Sequence, residues 1–164
     1  MQTLSLEQAC YLAGFIDAGC SANGSIMAQI VSRKDYVFKF QIRVSVTCIQ
    51  KMSRIHYLKS FQSEIGKGTI RDRGDGIGEF AIVGHKNVSA FLKQIVPYLR
   101  NKKKQANLVI RICEQLDGTK NDARKFLQLC VLADQVSALN DSKNQLNTSQ
   151  TVETFFLDFG LIKK

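Results

Sequence analysis

From Tyr36 to Ile49 the chain alternates without a break. Phe38, Phe40, Ile42, Val44, Val46 and Cys48 fall on one side of a two-residue repeat. Lys39, Gln41, Arg43, Ser45 and Thr47 fall on the other. Successive strand side chains point to opposite faces of a sheet, so this run predicts a strand with one core face. Its opposite face is polar and partly cationic.

The flanking signals predict what surrounds that strand. Ser5 and Gln8 have the spacing of a capping box, with a helix following from Leu6 to about Ala18. A strand is expected from Ser25 to Arg33, with "RKD" making the turn. A second helix is expected from about Met52 to Ile65, with Ile55, Leu58, Phe61 and Ile65 at helical spacing and Gly66 beyond its end. "GTIRDR" and "GEFAIVG" flank a hairpin turn around Asp75 and Gly76. Three more helices are expected, from Asn87 to Leu99 with Pro97 near the end, from Lys103 to Leu116, and from Asp122 to Leu139. The order α-β-β-α-β-β-α followed by extra helices predicts an α+β fold, with helices on one face of an antiparallel sheet and the polar face bare.

At 164 residues the chain fits a single domain with a real core. The domain core is expected over about 5–139, the polar stretch 140–150 is expected to be a linker, and 151–164 a short amphipathic helical tail. No secretory or transit signal is legible at the N-terminus, and no stretch is apolar enough to span a bilayer. The cysteines (Cys10, Cys20, Cys48, Cys113 and Cys130) are odd in number and lack a C-x-x-C pair, which favours reduced thiols over a disulfide framework. With His56 and His85 the only histidines, a structural zinc site is disfavoured. The net charge of +9 suits a polyanionic partner, although charge alone fits a soluble basic protein equally well.

"YLAGFIDA", from Tyr11 to Ala18, resembles the core of the LAGLIDADG motif of homing endonucleases. "QANLVIRICEQL", "KFLQLC" and "LNDSK" resemble the single-motif homodimeric enzymes of that family, encoded in organellar introns. The resemblance covers most of the chain. It implies a saddle-shaped antiparallel sheet, a double-stranded DNA target, a homodimer, magnesium as cofactor and a chloroplast or mitochondrial location. Gly14 and Ala18 lie four apart on one helix face, where small residues let a second helix approach closely. Leu12, Ala13, Gly14, Asp17 and Ala18 are thus the expected dimer interface.

The bare sheet face is then a candidate DNA-reading surface. The residues expected to contact bases or phosphates are Ser25, Met27, Gln29 and Val31, then Arg33, Lys34 and Tyr36, then Gln41, Arg43, Ser45 and Thr47, and finally Arg71, Arg73, Glu79 and Ala81. Arginine can bind guanine bidentately and glutamine can bind adenine, which suits a sheet laid in a major groove. The resemblance also matches Gln50, Arg54 and Lys102 to the family's glutamine, arginine and lysine around the scissile phosphates. For Lys102, inside "RNKKK", a simple phosphate clamp is the competing reading.

The motif then departs from the family. Hydrolysis there needs a divalent ion held by the motif's second Asp, directly before a glycine. Read without a gap, Gly19 takes that place; read back from "GSI", Asn23 takes it, with "GCSA" inserted. Either reading removes the carboxylate, and a neutral amide or bare backbone should hold magnesium weakly. Asp17 matches the motif's first Asp, which orders the helix end. It would become a ligand only if that end shifted. Three readings stay open: a DNA-binding homodimer with impaired cleavage, an active nuclease using Asp17 or backbone oxygens, and an intron-RNA-binding maturase.

Overall fold

The computed structural model describes residues 1–18, 24–140 and 145–163. Helix α1 (Leu6–Asp17) starts at Ser5, whose hydroxyl accepts from the Gln8 N–H while the Gln8 side chain accepts from the Ser5 N–H at 2.9 Å. Two of the four amides that a helix start leaves unpaired are thereby satisfied. Ala9, Leu12, Ala13 and Ile16 form its buried stripe.

Strand β1 (Gly24–Ser32) pairs antiparallel with β2 (Phe40–Lys51), in a register running from Gly24 opposite Cys48 to Ser32 opposite Phe40. A short 3-10 turn, Met52–Arg54, leads into α2 (Ile55–Ile65), which Gly66 ends in the left-handed conformation at φ 68°. Strands β3 (Thr69–Asp72) and β4 (Ile77–Val83) make the second hairpin, and β4 docks against β2 to give the order β1-β2-β4-β3. Helices α3 (His85–Ile95), α4 (Lys103–Leu116), α5 (Ala123–Leu139) and α6 (Ser149–Asp158) follow. The apolar sheet face, with Ile26, Ala28, Val44, Val46, Phe80 and Ile82 all buried, packs into one core with the helices. This is the expected α+β arrangement.

Several boundaries differ from expectation, among them the tail helix, which runs over Ser149–Asp158, and two others have a clear physical reason. The strand expected from Tyr36 begins at Phe40, because the preceding residues form a tied loop. The Arg33 N–H donates to Lys39 O at 2.8 Å, the Lys39 N–H donates to Tyr36 O at 2.9 Å, and Lys39 takes φ 59°. Phe38 still turns inward, its ring 5.5 Å from Phe126 and 5.4 Å from Phe156, so the apolar alternation reported burial beyond the strand. The helix expected to reach Leu99 stops at Ile95, as Pro97 has no N–H to extend the ladder.

The outer edge of β1 is covered. Asn140 Nδ2 donates to Ile26 O at 2.8 Å and Asn147 Nδ2 donates to Ile30 O at 3.2 Å. An open edge would template pairing with another chain, so these two amides protect it. Asn147 belongs to the stretch expected to be a linker, and Asp134 anchors the start of α6 by accepting from the Ser149 N–H at 2.8 Å. Burial pushes the thiols of Cys48, Cys113 and Cys130 up to about 12, which leaves them inert. Among the described residues no helix is long and apolar enough to cross a membrane.

Candidate nucleic-acid interface and the end of the first helix

The strand register gathers the expected reading residues onto one face. Ser25 lies opposite Thr47, which lies opposite Ala81, which lies opposite Thr69. Met27, Ser45 and Val83 form the next row, and Gln29–Arg43 and Val31–Gln41 the two after that. On the other side, Ile49, Glu79 and Arg71 share a row. Thr69, Ile49 and Val83 complete the face; the alternation on β2 and β4 would have found the last two, but β3 is too short to show a period. Ser45 is buried to 7% exposure, so it shapes the face more than it projects from it.

Arg33, Lys34 and Tyr36 do not sit on β1. They lie in the loop that joins it to β2, at the far end of the same face. The Arg33 guanidinium meets Asp35 through two hydrogen bonds of 3.0 Å and lies over the Tyr36 ring. The Arg33 hydrogen bond holds the Asp35 carboxyl below the usual carboxylate range, and the same bond raises Arg33. Arg71 pairs with Glu79 across β3 and β4 at 2.9 Å, and Arg73, in the β3–β4 turn, reaches Asp75 at 3.4 Å. The Arg33–Asp35 and Arg73–Asp75 pairs are exposed and contribute little stability, but they orient the side chains that form them; the Glu79 side chain is largely buried, at 15% exposure.

At the other end of β1 the chain is organised differently. Asp17, half-buried at the end of α1, accepts from three backbone amides. These are Arg100 at 2.5 Å and Asn101 at 3.2 Å on one oxygen, and Lys102 at 2.9 Å on the other. Lys102, 9% exposed at the start of α4, donates from Nζ to Ile16 O and to Gly24 O, both at 2.6 Å. The two helices therefore cap each other. A carboxylate from the C-terminal end of α1 meets the positive end of α4, and an ammonium from the start of α4 meets the negative end of α1. Gly24 is required there, since a Cβ would fall 2.8 Å from Ile16 Cα.

Gln50 and Arg54 stand at the junction of β2 and α2. Gln50 is half-buried two residues past Cys48, the register partner of Gly24, and its Oε1 accepts from the Lys51 N–H at 3.1 Å. Arg54 is exposed. The two positions expected to replace the motif's acid, Gly19 and Asn23, lie outside the described residues. Among the described residues no group of three His, Cys, Asp or Glu side chains could hold a metal. Asp17 is turned toward three amides, so the described residues do not fit a magnesium site.

The residues expected at the dimer interface divide between two faces of α1. Leu12 and Ala13 are 1% and 0% exposed within the protomer and belong to its own core, in the same stripe as Ala9 and Ile16. Cys10, Tyr11, Gly14 and Ala18 face outward, and nothing lies within 4 Å of a Cβ placed on Gly14. Cys10, Gly14, Asp17 and Ala18 line an open groove with the Pro97–Asn101 loop, while the Tyr11 ring packs edge-on against Phe61 at 5.9 Å. The helical period separates the two stripes, since Leu12 and Ala13 fall three and four residues after Ala9, whereas Gly14 falls four after Cys10.

No family model matches the chain. Curated relatives do. The chain is 44% identical over 142 residues to the DNA endonuclease I-CreI of Chlamydomonas reinhardtii, covering 87% of this chain and 84% of the relative. It is 42% identical over 142 residues to the DNA endonuclease I-CvuI of Chlorella vulgaris, covering 87% and 85%. The crystal structure of the homing endonuclease I-CvuI with the I-CreI target and 2 mM Mg, in which the DNA is not cleaved, superposes with a TM-score of 0.90 at 38% identity, covering 96% of this chain and 97% of that one. An archaeal intron-encoded homing endonuclease, I-Vdi141I complexed with DNA, shares the fold with a TM-score of 0.81 at 17% identity, over 95% and 98% of the two chains. The chain belongs to the LAGLIDADG homing endonuclease family, of which it carries a single motif.

Proposed function

We propose that this protein is a site-specific double-stranded DNA-binding homodimer whose metal-dependent cleavage is lost or impaired. One observation carries the reading. Glycine or asparagine stands where the family's motif carries its metal-binding acid, beside a polar, partly cationic sheet face, while Asp17, which matches the motif's other acid, is spent on the start of α4. Two copies packed through Cys10, Gly14 and Ala18 would each lay a sheet along one half of a pseudo-palindromic target. Gln50 and Arg54 would flank the central phosphates, with Lys102 holding the end of α1 in place from behind. Magnesium, by family, would be bound weakly. An organellar, intron-encoded origin suits the algal sources of the relatives.

The test is a family-type pseudo-palindromic duplex incubated with the purified protein and magnesium. Retention in a gel-shift assay without double-strand cutting is the expected outcome; efficient cutting would refute the impairment. Asn23→Asp combined with removal of residues 19–22 should restore cutting. The dimer has its own check. A protomer has room for Gly14→Leu, so that variant should fold and sediment as a monomer.

A further inference from the structure

We infer that Asp35, in the β1–β2 loop, is a specificity-determining residue: it fixes the Arg33 guanidinium so that its free end reads guanine toward the outer end of each half-site. The inference rests on the duplex-reading function proposed above and deepens it.

The geometry of the pair selects the base. Arg33 Nε donates to Asp35 Oδ1 and Nη2 donates to Oδ2, both at 3.0 Å. That side-on grip uses two of the five guanidinium N–H groups and leaves Nη1, with the second hydrogen of Nη2, as a forward-facing fork. Two parallel donors match the two major-groove acceptors of guanine, O6 and N7. Adenine sets its N6 donor against one of them, and thymine offers one acceptor beside a methyl group.

The arginine is held from more than one side. Its Cζ lies 5.6 Å from the centroid of the Tyr36 ring, so an aromatic face supports the cation. The loop beneath is closed by the Arg33 N–H to Lys39 O bond at 2.8 Å and the Tyr36 N–H to Arg33 O bond at 3.1 Å, and Lys39 Nζ donates to Lys34 O at 2.9 Å. The side chains of Arg33 and Asp35 are 43% and 64% exposed, which leaves the fork open to a groove. By contrast, the Arg71–Glu79 and Arg73–Asp75 pairs meet through Nη2, at 2.9 and 3.4 Å.

The place of the base follows from strand length. Gly24 adjoins the end of α1, which the proposed dimer sets at the two-fold axis, and β1 runs nine residues to Ser32. At about 3.3 Å per residue that is about 30 Å, or about nine base pairs at about 3.4 Å each.

The experiment is competitive binding to half-sites randomised over the three base pairs centred about nine from the middle of the duplex. The full-length protein should prefer guanine at one of them by about 5- to 100-fold, the range a bidentate pair supplies. Arg33→Ala should abolish that preference. Asp35→Ala, which keeps the arginine and removes a negative charge, should flatten it to within about threefold without weakening binding to unrelated duplex. Thermal melting of each variant should match the parent, as these side chains are exposed. A parent with no guanine preference there, or a preference that survives Asp35→Ala, would overturn the role of Asp35 while leaving duplex reading intact. Absence of any duplex binding by the parent would overturn both.

Discussion

The two ends of β1 are built on opposite plans. Beyond Ser32 the chain makes an exposed loop in which Arg33, Asp35 and Tyr36 hold one another, and removing any of them would leave no buried group unpaired. Before Gly24, Asp17 and Lys102 are each fixed by backbone groups of a different element, and Gly24 is pressed onto Ile16. The loop end can therefore change its chemistry without touching the fold. The helix end cannot. Among the described residues the junction of α1 with β1 is held by Asp17, by Lys102 and by the carbonyls of Ile16 and Gly24.

The largest test of that contrast is Lys102→Met. It keeps the apolar stem but leaves the carbonyls of Ile16 and Gly24 without their ammonium, in a site only 9% exposed. A loss of about 3 kcal/mol is expected from denaturant unfolding, the scale of unsatisfied buried acceptors. An unchanged midpoint would break the comparison. Asp17→Asn should cost less, about 1–2 kcal/mol, since the amide keeps one acceptor but loses the charge at the start of α4. The companion measurement is target binding. It should persist at temperatures where the variant remains folded, and so separate a structural role for Asp17 from a catalytic one.

On the reading face the expectation reverses. Gln29→Ala and Arg43→Ala remove side chains that lie opposite one another on exposed positions. Each should change stability by no more than about 0.5 kcal/mol while altering which half-site competes best for the protein.

The smallest effect is acid titration. The carboxyl of Asp35 lies below its ordinary value through its hydrogen bond with Arg33, and that of Asp122, the N-cap of α5, through the Lys125 N–H. A depressed folded value means stability that is present above the unfolded pKa and lost as pH falls through the folded one. Carboxyl chemical shifts followed downward from neutral pH should thus place both midpoints below that of a free aspartate. Equal midpoints would remove the claim that these pairs are formed in solution.

Much of the fold was legible because each signal was local. The Ser5–Gln8 box fixed where α1 starts, Gly66 where α2 ends, and the β2 alternation which face is buried. The outward stripe of α1 was only half legible. Leu12 and Ala13 belong to the same apolar run as Gly14, and only packing shows that they point inward. Asp35 was missed because an acid in a basic surface reads as a turn residue until its distance to Arg33 is known.

What the sequence determined alone is the family and the two-faced sheet, since a period of two and a run of motif residues are written along the chain. What only the tertiary structure decided is the use of the charged groups. Asp17 and Lys102 are separated by 85 positions, yet they close the same junction. No local pattern announces such a pair, because the helix ends that attract their charges meet only once the chain has folded.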